Sequence, residues 1–247
     1  MKKAAELLQK AKYAIALTGA GISVESGIPA FRGKGGLWES YPVEEYATID
    51  AFIANPRKVW NFFRDLYDTL GSAEPNPAHF ALAKLESRGI LKSVVTQNID
   101  GLHQKAGSRE VIEFHGNASS LRCLNCEMVI PFEECEAMSA EIPVCSCGGL
   151  LKPEIVLYGE SIPVDSLMDA QDEALLCDLM LVIGTSAQVV PASMLPLIAR
   201  QRHATIIEMN LGQTWLTEHY ADISVFGSVG STLPEVAHLI LGDYIDT

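Results

Sequence analysis

Residues 13–32, Y-A-I-A-L-T-G-A-G-I-S-V-E-S-G-I-P-A-F-R, decide how the rest of the chain is read. Tyr13, Ala14, Ile15, Ala16 and Leu17 make an apolar run that predicts a buried strand, and Gly19 and Gly21 follow it at once. Two glycines two residues apart at a strand end permit a tight turn and close approach to a pyrophosphate. The next helix then presents its N-terminal N–H groups to the anion. The turn therefore reads as a dinucleotide-binding loop. Val24 occupies the place of the third glycine of G-x-G-x-x-G, which disfavours an ordinary dehydrogenase. Ser23, Ser26, Gly27, Pro29, Phe31 and Arg32 put hydroxyls, an aromatic ring and a cation into the same loop, a set that suits a charged dinucleotide.

Outward from this loop, further apolar runs predict strands at 91–96, 110–114, 179–183, 205–209 and 222–226. They end on Gln97-Asn98-Ile99-Asp100, His115-Gly116, Gly184-Thr185-Ser186 and Asn210. Helical patterns fall at 1–11, after Pro77, and at 165–176, 191–200 and 233–241. Alternation of this kind predicts an α/β fold, a parallel sheet covered on both faces, with ligands at the carboxyl ends of its strands. Asn98-x-Asp100 also reads as a turn capping the next helix. Residues 34–73 show no strand; Pro56 opens an aromatic-rich helix through Trp60, Phe62, Phe63 and Leu66 whose spacing marks packing.

At 247 residues and 48% hydrophobic content, the chain has room for one large domain and a smaller companion. A formal net charge of -13 argues against direct nucleic-acid binding, which needs a basic face. No apolar run reaches the roughly 20 residues that span a bilayer, and Lys2 and Lys3 lead into no signal-like segment, so a cytoplasmic protein without a membrane partner is expected. Cys123-Leu124-Asn125-Cys126 and Cys145-Ser146-Cys147 stand 18 residues apart, the layout of a four-thiolate zinc ribbon. Zn2+ favours four soft ligands in a tetrahedron, and each short pair folds a knuckle that offers two; with no open position the zinc is structural. Cys135 lies in helical-looking surroundings, and Cys177 reads as a small buried hydrophobe within a helix.

Together these features resemble the sirtuins, NAD-dependent protein-lysine deacylases, in their bacterial and archaeal, deacetylase-like form. The resemblance spans essentially the whole chain. It is carried by G-A-G-I-S and G-I-P-A-F-R, T-Q-N-I-D at 96–100, His115-Gly116, the cysteine pairs, Tyr158-Gly159-Glu160, Gly184-Thr185-Ser186 and Asn210. It implies a Rossmann-like NAD-binding domain from 1–33, 76–118 and 153–247. A small domain would combine a helical insertion at 34–75 with a zinc-ribbon module at 119–152.

The resemblance also implies roles. Gly19, Ala20, Gly21, Ser23 and Val24 would lie along the NAD phosphates with Arg32 beside them, and Phe31 would cover the nicotinamide end. Gln97 would hold the ribose, with Asn98, Ile99 and Asp100 at the ribose and carboxamide. Gly184, Thr185, Ser186, Asn210 and Leu211 would bind the phosphate and adenosine side, with Val229 near the adenine. His115, Asn98 and Asp100 would be the catalytic set, His115 as general base. An acetyl-lysine protein or peptide would add as a strand between Val156, Tyr158, Gly159 and Glu160 on one side and Gln188 and Val189 on the other. The acyl oxygen would attack the NAD ribose with nicotinamide release, giving free lysine and O-acetyl-ADP-ribose.

Members of the family that prefer succinyl or malonyl groups carry a Tyr-x-x-Arg pair in the helical insertion. This chain has Phe63-Arg64-Asp65-Leu66 there, so a buried acyl carboxylate would be unpaired and costly, and neutral acyl groups are expected. Two other functions fit the same scaffold: mono-ADP-ribosyl transfer, and non-catalytic NAD sensing.

Overall fold

The computed structural model describes residues 1–31, 35–135 and 141–242. Six parallel strands form the main sheet in the order β3-β2-β1-β7-β8-β9: β1 (Ala14–Thr18), β2 (Leu91–Thr96), β3 (Val111–Glu113), β7 (Leu179–Ile183), β8 (Thr205–Asn210) and β9 (Ile223–Phe226). Their apolar runs are continuous because both faces are buried. Ala14, Ala16, Leu181 and Ile183 pack with Leu8, Leu82, Leu85 and Leu233 on one face. Ile15, Leu17 and Val182 pack with Phe114, Ala170, Leu195 and Leu216 on the other. The strand order reverses between β1 and β7, so the turns after these two strands flank a crevice, the place where open α/β sheets bind ligands.

A second sheet, β5-β4-β6, joins β4 (Gly116–Cys123), β5 (Val129–Pro131) and β6 (Leu151–Ile155) in antiparallel pairs. It has its own core with the helical insertion: Phe52, Val59, Trp60, Phe62 and Phe63 pack on Leu121, Cys123 and Leu151. The insertion's long helix, Pro56–Ser72, starts as its sequence dictates. Asn55 Oδ1 accepts the Lys58 N–H at 3.2 Å, and Pro56 fills the first turn, where no donor is needed. The Trp60 indole N–H donates to the Leu151 carbonyl at 3.0 Å, tying the helix to the small sheet.

Four local expectations are corrected. No α-helix follows Gly21; two 3-10 turns, Ala20–Ile22 and Val24–Ser26, take its place and end at Gly27, whose φ is +88°. Asn76, from the far side of the insertion, donates to Ile22 O at 2.7 Å and Ser26 Oγ at 2.9 Å, which holds the tighter path. The strand expected at 110–114 is shorter, Val111–Glu113. The helix expected at 191–200 follows a cis Val190–Pro191 bond, opens with a 3-10 turn at Ala192–Met194, and becomes α-helical only over Leu195–Gln201. Cys177 is buried as expected but caps the helix Val164–Leu176 rather than lying within it.

Candidate active site

The crevice opens as a cleft of about 870 Å3 between the main sheet's strand ends and the small domain. Gly19, Ala20 and Gly21 line it from β1, Gly184, Thr185 and Ser186 from β7, and Asn210 and Leu211 from β8. The β1 and β7 turns touch backbone to backbone: Gly21 N–H donates to Gly184 O at 2.8 Å, and a Cβ on Gly21 would stand 2.7 Å from Gly184 Cα. Only glycine permits this approach, so the G-A-G spacing serves chain packing as well as ligand access.

Polar groups at the ends of β1, β2 and β7 form one network. Gln97 Nε2 donates to Thr185 Oγ1 at 3.0 Å, and Asn210 Nδ2 to Thr185 O at 2.8 Å. Asn98 Nδ2 donates to Ser23 Oγ at 3.1 Å, and the Ser23 hydroxyl donates to Asp100 Oδ2 at 2.7 Å. Asp100 Oδ1 accepts the Leu102 N–H at 3.0 Å, but the residue that caps the next short helix is Gly101, so Asp100 braces the helix start and holds the β1 loop rather than capping the helix. Asn98 Oδ1 is buried and has no hydrogen-bond partner among the described residues. A buried acceptor left open in this way fits a ligand donor such as a carboxamide N–H or ribose hydroxyl. Ser23, Asn98 and Asp100 face a smaller side cavity of about 140 Å3, where Phe31, stacked on Trp38 at 5.2 Å, forms part of the wall.

His115 lines the cleft as well. Its Nδ1 lies 3.0 Å from the Gln97 carbonyl, and a carbonyl only accepts, so Nδ1 carries the proton and Nε2 keeps the lone pair. Burial lowers the ring's pKa from its ordinary value, with the Gln97 carbonyl opposing in part, so the imidazole is neutral at neutral pH. The following residue locks the ring's base in place. Gly116 has φ +75°, and a Cβ there would meet Glu154 O at 2.1 Å.

The segment after β6 forms the opposite rim. Val156, Tyr158, Gly159 and Glu160 line the cleft, as does Val189 across from them, while Gln188 is exposed outside the lining. Val24 lines it too, whereas Val229 is the buried first residue of the helix Val229–Leu241 and packs in the core. Arg32 lies outside the described residues. Leu66 lines the cleft, and Phe63 sits in the small-domain core. No lysine or arginine lines either cavity among the described residues.

Four residues that sequence reasoning passed over sit beneath the network. Thr18 and Thr96 read as ordinary strand positions, yet the Thr18 hydroxyl donates to Thr96 Oγ1 at 2.9 Å and lies 2.9 Å from His103 Nε2. Thr96 Oγ1 accepts the Asn98 N–H at 3.1 Å. His79 packs against His103 with ring centroids 5.0 Å apart, and burial pushes both rings' pKa values down. Its position three residues after Asn76 at a helix start was the available signal: Nδ1 accepts the Asn76 N–H at 3.3 Å, the place a capping Glu usually takes.

The sulfurs of Cys123, Cys126, Cys145 and Cys147 all lie within 4.8 Å of one another. Tetrahedral Zn–S bonds near 2.3 Å require S···S separations of about 3.8 Å. The Cys123–Cys147 and Cys126–Cys145 separations of 3.5 and 3.7 Å fit, and the tighter C-x-C knuckle reaches the same cluster. Cys135 is buried apart from it. No helix of the described residues is long and apolar enough to cross a membrane.

The Sir2 family model matches residues 19–191. The NAD-dependent protein deacylase 2 of Archaeoglobus fulgidus is 47% identical over 240 residues, covering 96% of this chain and 94% of that protein. The NAD-dependent protein deacetylase of Thermodesulfovibrio yellowstonii is 45% identical over 245 residues, covering 97% and 95%. A mutant Sir2 homologue in complex with 2'-O-acetyl ADP ribose superposes with a TM-score of 0.91 at 44% identity, covering 97% of this chain and 96% of that one. A Sir2 structure with a p53 peptide and NAD+ superposes with a TM-score of 0.88 at 37% identity, covering 96% of each chain. Matched by the family model over residues 19–191 and by these relatives over nearly its full length, the chain belongs to the Sir2 family.

Proposed function

We propose that this chain is an NAD-dependent protein-lysine deacetylase that consumes one NAD and one water for each acetyl-lysine and returns free lysine, nicotinamide and O-acetyl-ADP-ribose. The observation that carries the reading is His115: a neutral imidazole, its tautomer set by the Gln97 carbonyl, lining a cleft together with the glycine turns after β1 and β7 and the segment 156–160. NAD supplies a ribose carbon that becomes electron-poor as nicotinamide leaves, and an acyl oxygen can capture it.

The protein's residues divide the remaining work. Gly19, Ala20, Gly21, Val24, Thr185, Ser186 and Asn210 cradle the dinucleotide, with Leu211 at its margin and Val229 supporting the adenosine end through its helix. Asn98 Oδ1 accepts from the carboxamide or ribose, and Ser23 and Asp100 hold Asn98 for this. Gln97 orients both the ribose and, through its carbonyl, the base. Phe31 and Ile99 exclude water from the reacting carbon. His115 Nε2 then removes a ribose hydroxyl proton, a task suited to an imidazole that is unprotonated at neutral pH.

The acyl-lysine peptide lies as an added strand between 156–160 and Gln188-Val189, read mainly through its main chain. Cys123, Cys126, Cys145 and Cys147 hold a structural zinc that closes the small domain and has no step in the reaction. We divide the chain into a Rossmann-like domain of 1–33, 76–118 and 153–247 and a small domain of 34–75 and 119–152. Six cysteines with no disulfide among them fit the reducing cytoplasm, and net charge -13 favours cationic lysine-rich substrates over nucleic acid. The test is His115→Ala: the reading expects NAD-dependent loss of acetyl groups from a lysine peptide by the native protein and at least about a thousandfold slower loss by the variant. Equal rates for the two would reject it.

A further inference from the structure

Lys152 is a lysine of β6 with only 5% of its side chain exposed, and the reaction described above makes no use of it. Its ammonium is fully engaged. Nζ donates to the Pro153 carbonyl at 3.1 Å and the Ile155 carbonyl at 2.6 Å, and lies 3.1 Å from Glu160 Oε2. That carboxylate oxygen also accepts the Leu157 N–H at 2.8 Å. Three N–H donors thus meet three acceptors, the condition under which a buried charge is tolerated.

All of these acceptors lie between residues 153 and 160, so one side chain gathers both ends of the cleft rim. The rim's outer attachments are backbone bonds: Val156 N–H to His115 O at 2.9 Å, Tyr158 N–H to Ala47 O at 2.9 Å, and Ile49 N–H to Tyr158 O at 3.0 Å. These join the rim to the base and, at Tyr158, to the helical insertion, while the turn at 157–160 is closed by the Glu160 N–H donating to Leu157 O at 3.0 Å. Glu160, for all its place in the lining, spends its carboxylate inward on Leu157 and Lys152 rather than on the cleft.

We propose that Lys152 is a positioning residue which, through Glu160, sets the curvature of the 155–160 rim to which the acyl-lysine peptide adds. The proposal rests on the deacetylase reading and deepens it: Lys152 touches neither NAD nor peptide, and its effect falls on peptide binding. A residue that merely stabilised the fold would act differently. Replacing a buried ion pair by apolar residues of similar volume often leaves stability unchanged or improved. A K152M/E160L double variant therefore avoids the unpaired buried charge that either single change leaves, while removing the acceptor of the Leu157 N–H.

The experiment measures melting temperature, peptide KM and NAD KM for native protein, K152M, E160Q, K152R and the double variant. K152M and E160Q should raise acetyl-peptide KM about tenfold or more with NAD KM within about twofold, and K152R should recover most of the loss. The double variant should melt like the native protein and still show the raised peptide KM. It and E160Q carry the test if K152M fails to fold. Peptide KM that returns with the melting temperature in the double variant, or that never changes in an active enzyme, overturns this inference alone. A native protein with no NAD-dependent turnover overturns the deacetylase reading and this one with it.

Discussion

Gly21→Ala places a methyl group where the neighbouring backbone stands. The new Cβ would lie 2.7 Å from Gly184 Cα and 2.7 Å from Gly184 O. Ordinary carbon contacts sit near 3.5–4.0 Å, so the turns after β1 and β7 must part by about 1 Å. Gly184 cannot yield toward Ile22: it holds φ +60°, and its own Cβ direction already meets Ile22 N at 2.5 Å. The Gly21 N–H to Gly184 O bond is lost first. Overpacking of this kind costs about 1–3 kcal/mol and the lost bond about 1 more, giving about 2–4 kcal/mol. For a chain of this size each kcal/mol lowers the melting temperature by about 2–4 °C, so a fall of about 4–16 °C is expected.

The same displacement opens the floor on which NAD lies, so its Kd should rise about tenfold or more, while zinc content stays at one equivalent. Thermal melts with and without NAD, alongside NAD titration, read both effects. Gly71→Ala is the control: it lies in the helix Pro56–Ser72 with nothing within 4 Å of a Cβ, and should raise stability by about 0.5–1 kcal/mol. A G21A protein that melts within a degree of the native one and binds NAD equally would refute the contact argument.

Three further outcomes follow from the same geometry. An acetyl-lysine peptide should be turned over at least about a hundredfold faster than a succinyl one, because Leu66 lines the cleft and no described cation does; comparable rates in a paired assay would contradict this. Stripping zinc with a chelator should red-shift tryptophan emission, since Trp60 shares its core with Cys123 and Cys145, and unaltered emission in zinc-free protein would count against a structural metal. Acid should destabilise the fold. Burial holds His103 at about 3 and lowers His79 as well, so below about 6.5 the unfolded chain takes up protons the folded one refuses. By pH 4 His103 alone removes on the order of 3 kcal/mol, and urea midpoints that stay level from pH 7 to pH 4.5 would contradict the buried neutral pair.

The main sheet was legible because its parallel strands are buried on both faces and so read as unbroken apolar runs, with chemistry-bearing residues at their ends. Gln97, Asn98, Asp100, His115, Thr185 and Asn210 stand at those ends in the structure as well. The small sheet was legible only as a cysteine spacing. β4 mixes Asn117, Ser119, Ser120 and Arg122 with three fully buried positions, and its pairing with β6 shifts register between Gly116 and Leu121. The 3-10 turns after Gly21 depend on Asn76, more than fifty positions away, and no local pattern carries that. Glu160 reads in the sequence as a peptide contact and Lys152 carries no signal there; only the fold turns them toward each other. Thr18 and Thr96 differ from neighbouring strand residues in one hydroxyl each, which becomes a link to Asn98 only when β1 and β2 are paired.

The most direct test of the account is the fate of the acetyl group, followed by mass spectrometry with an acetyl-lysine peptide, NAD and the purified protein. The account predicts that each lysine freed is matched by one nicotinamide and one O-acetyl-ADP-ribose, with no reaction when NAD is left out. Acetate released without NAD, or nicotinamide released while the peptide keeps its acetyl group, would contradict it.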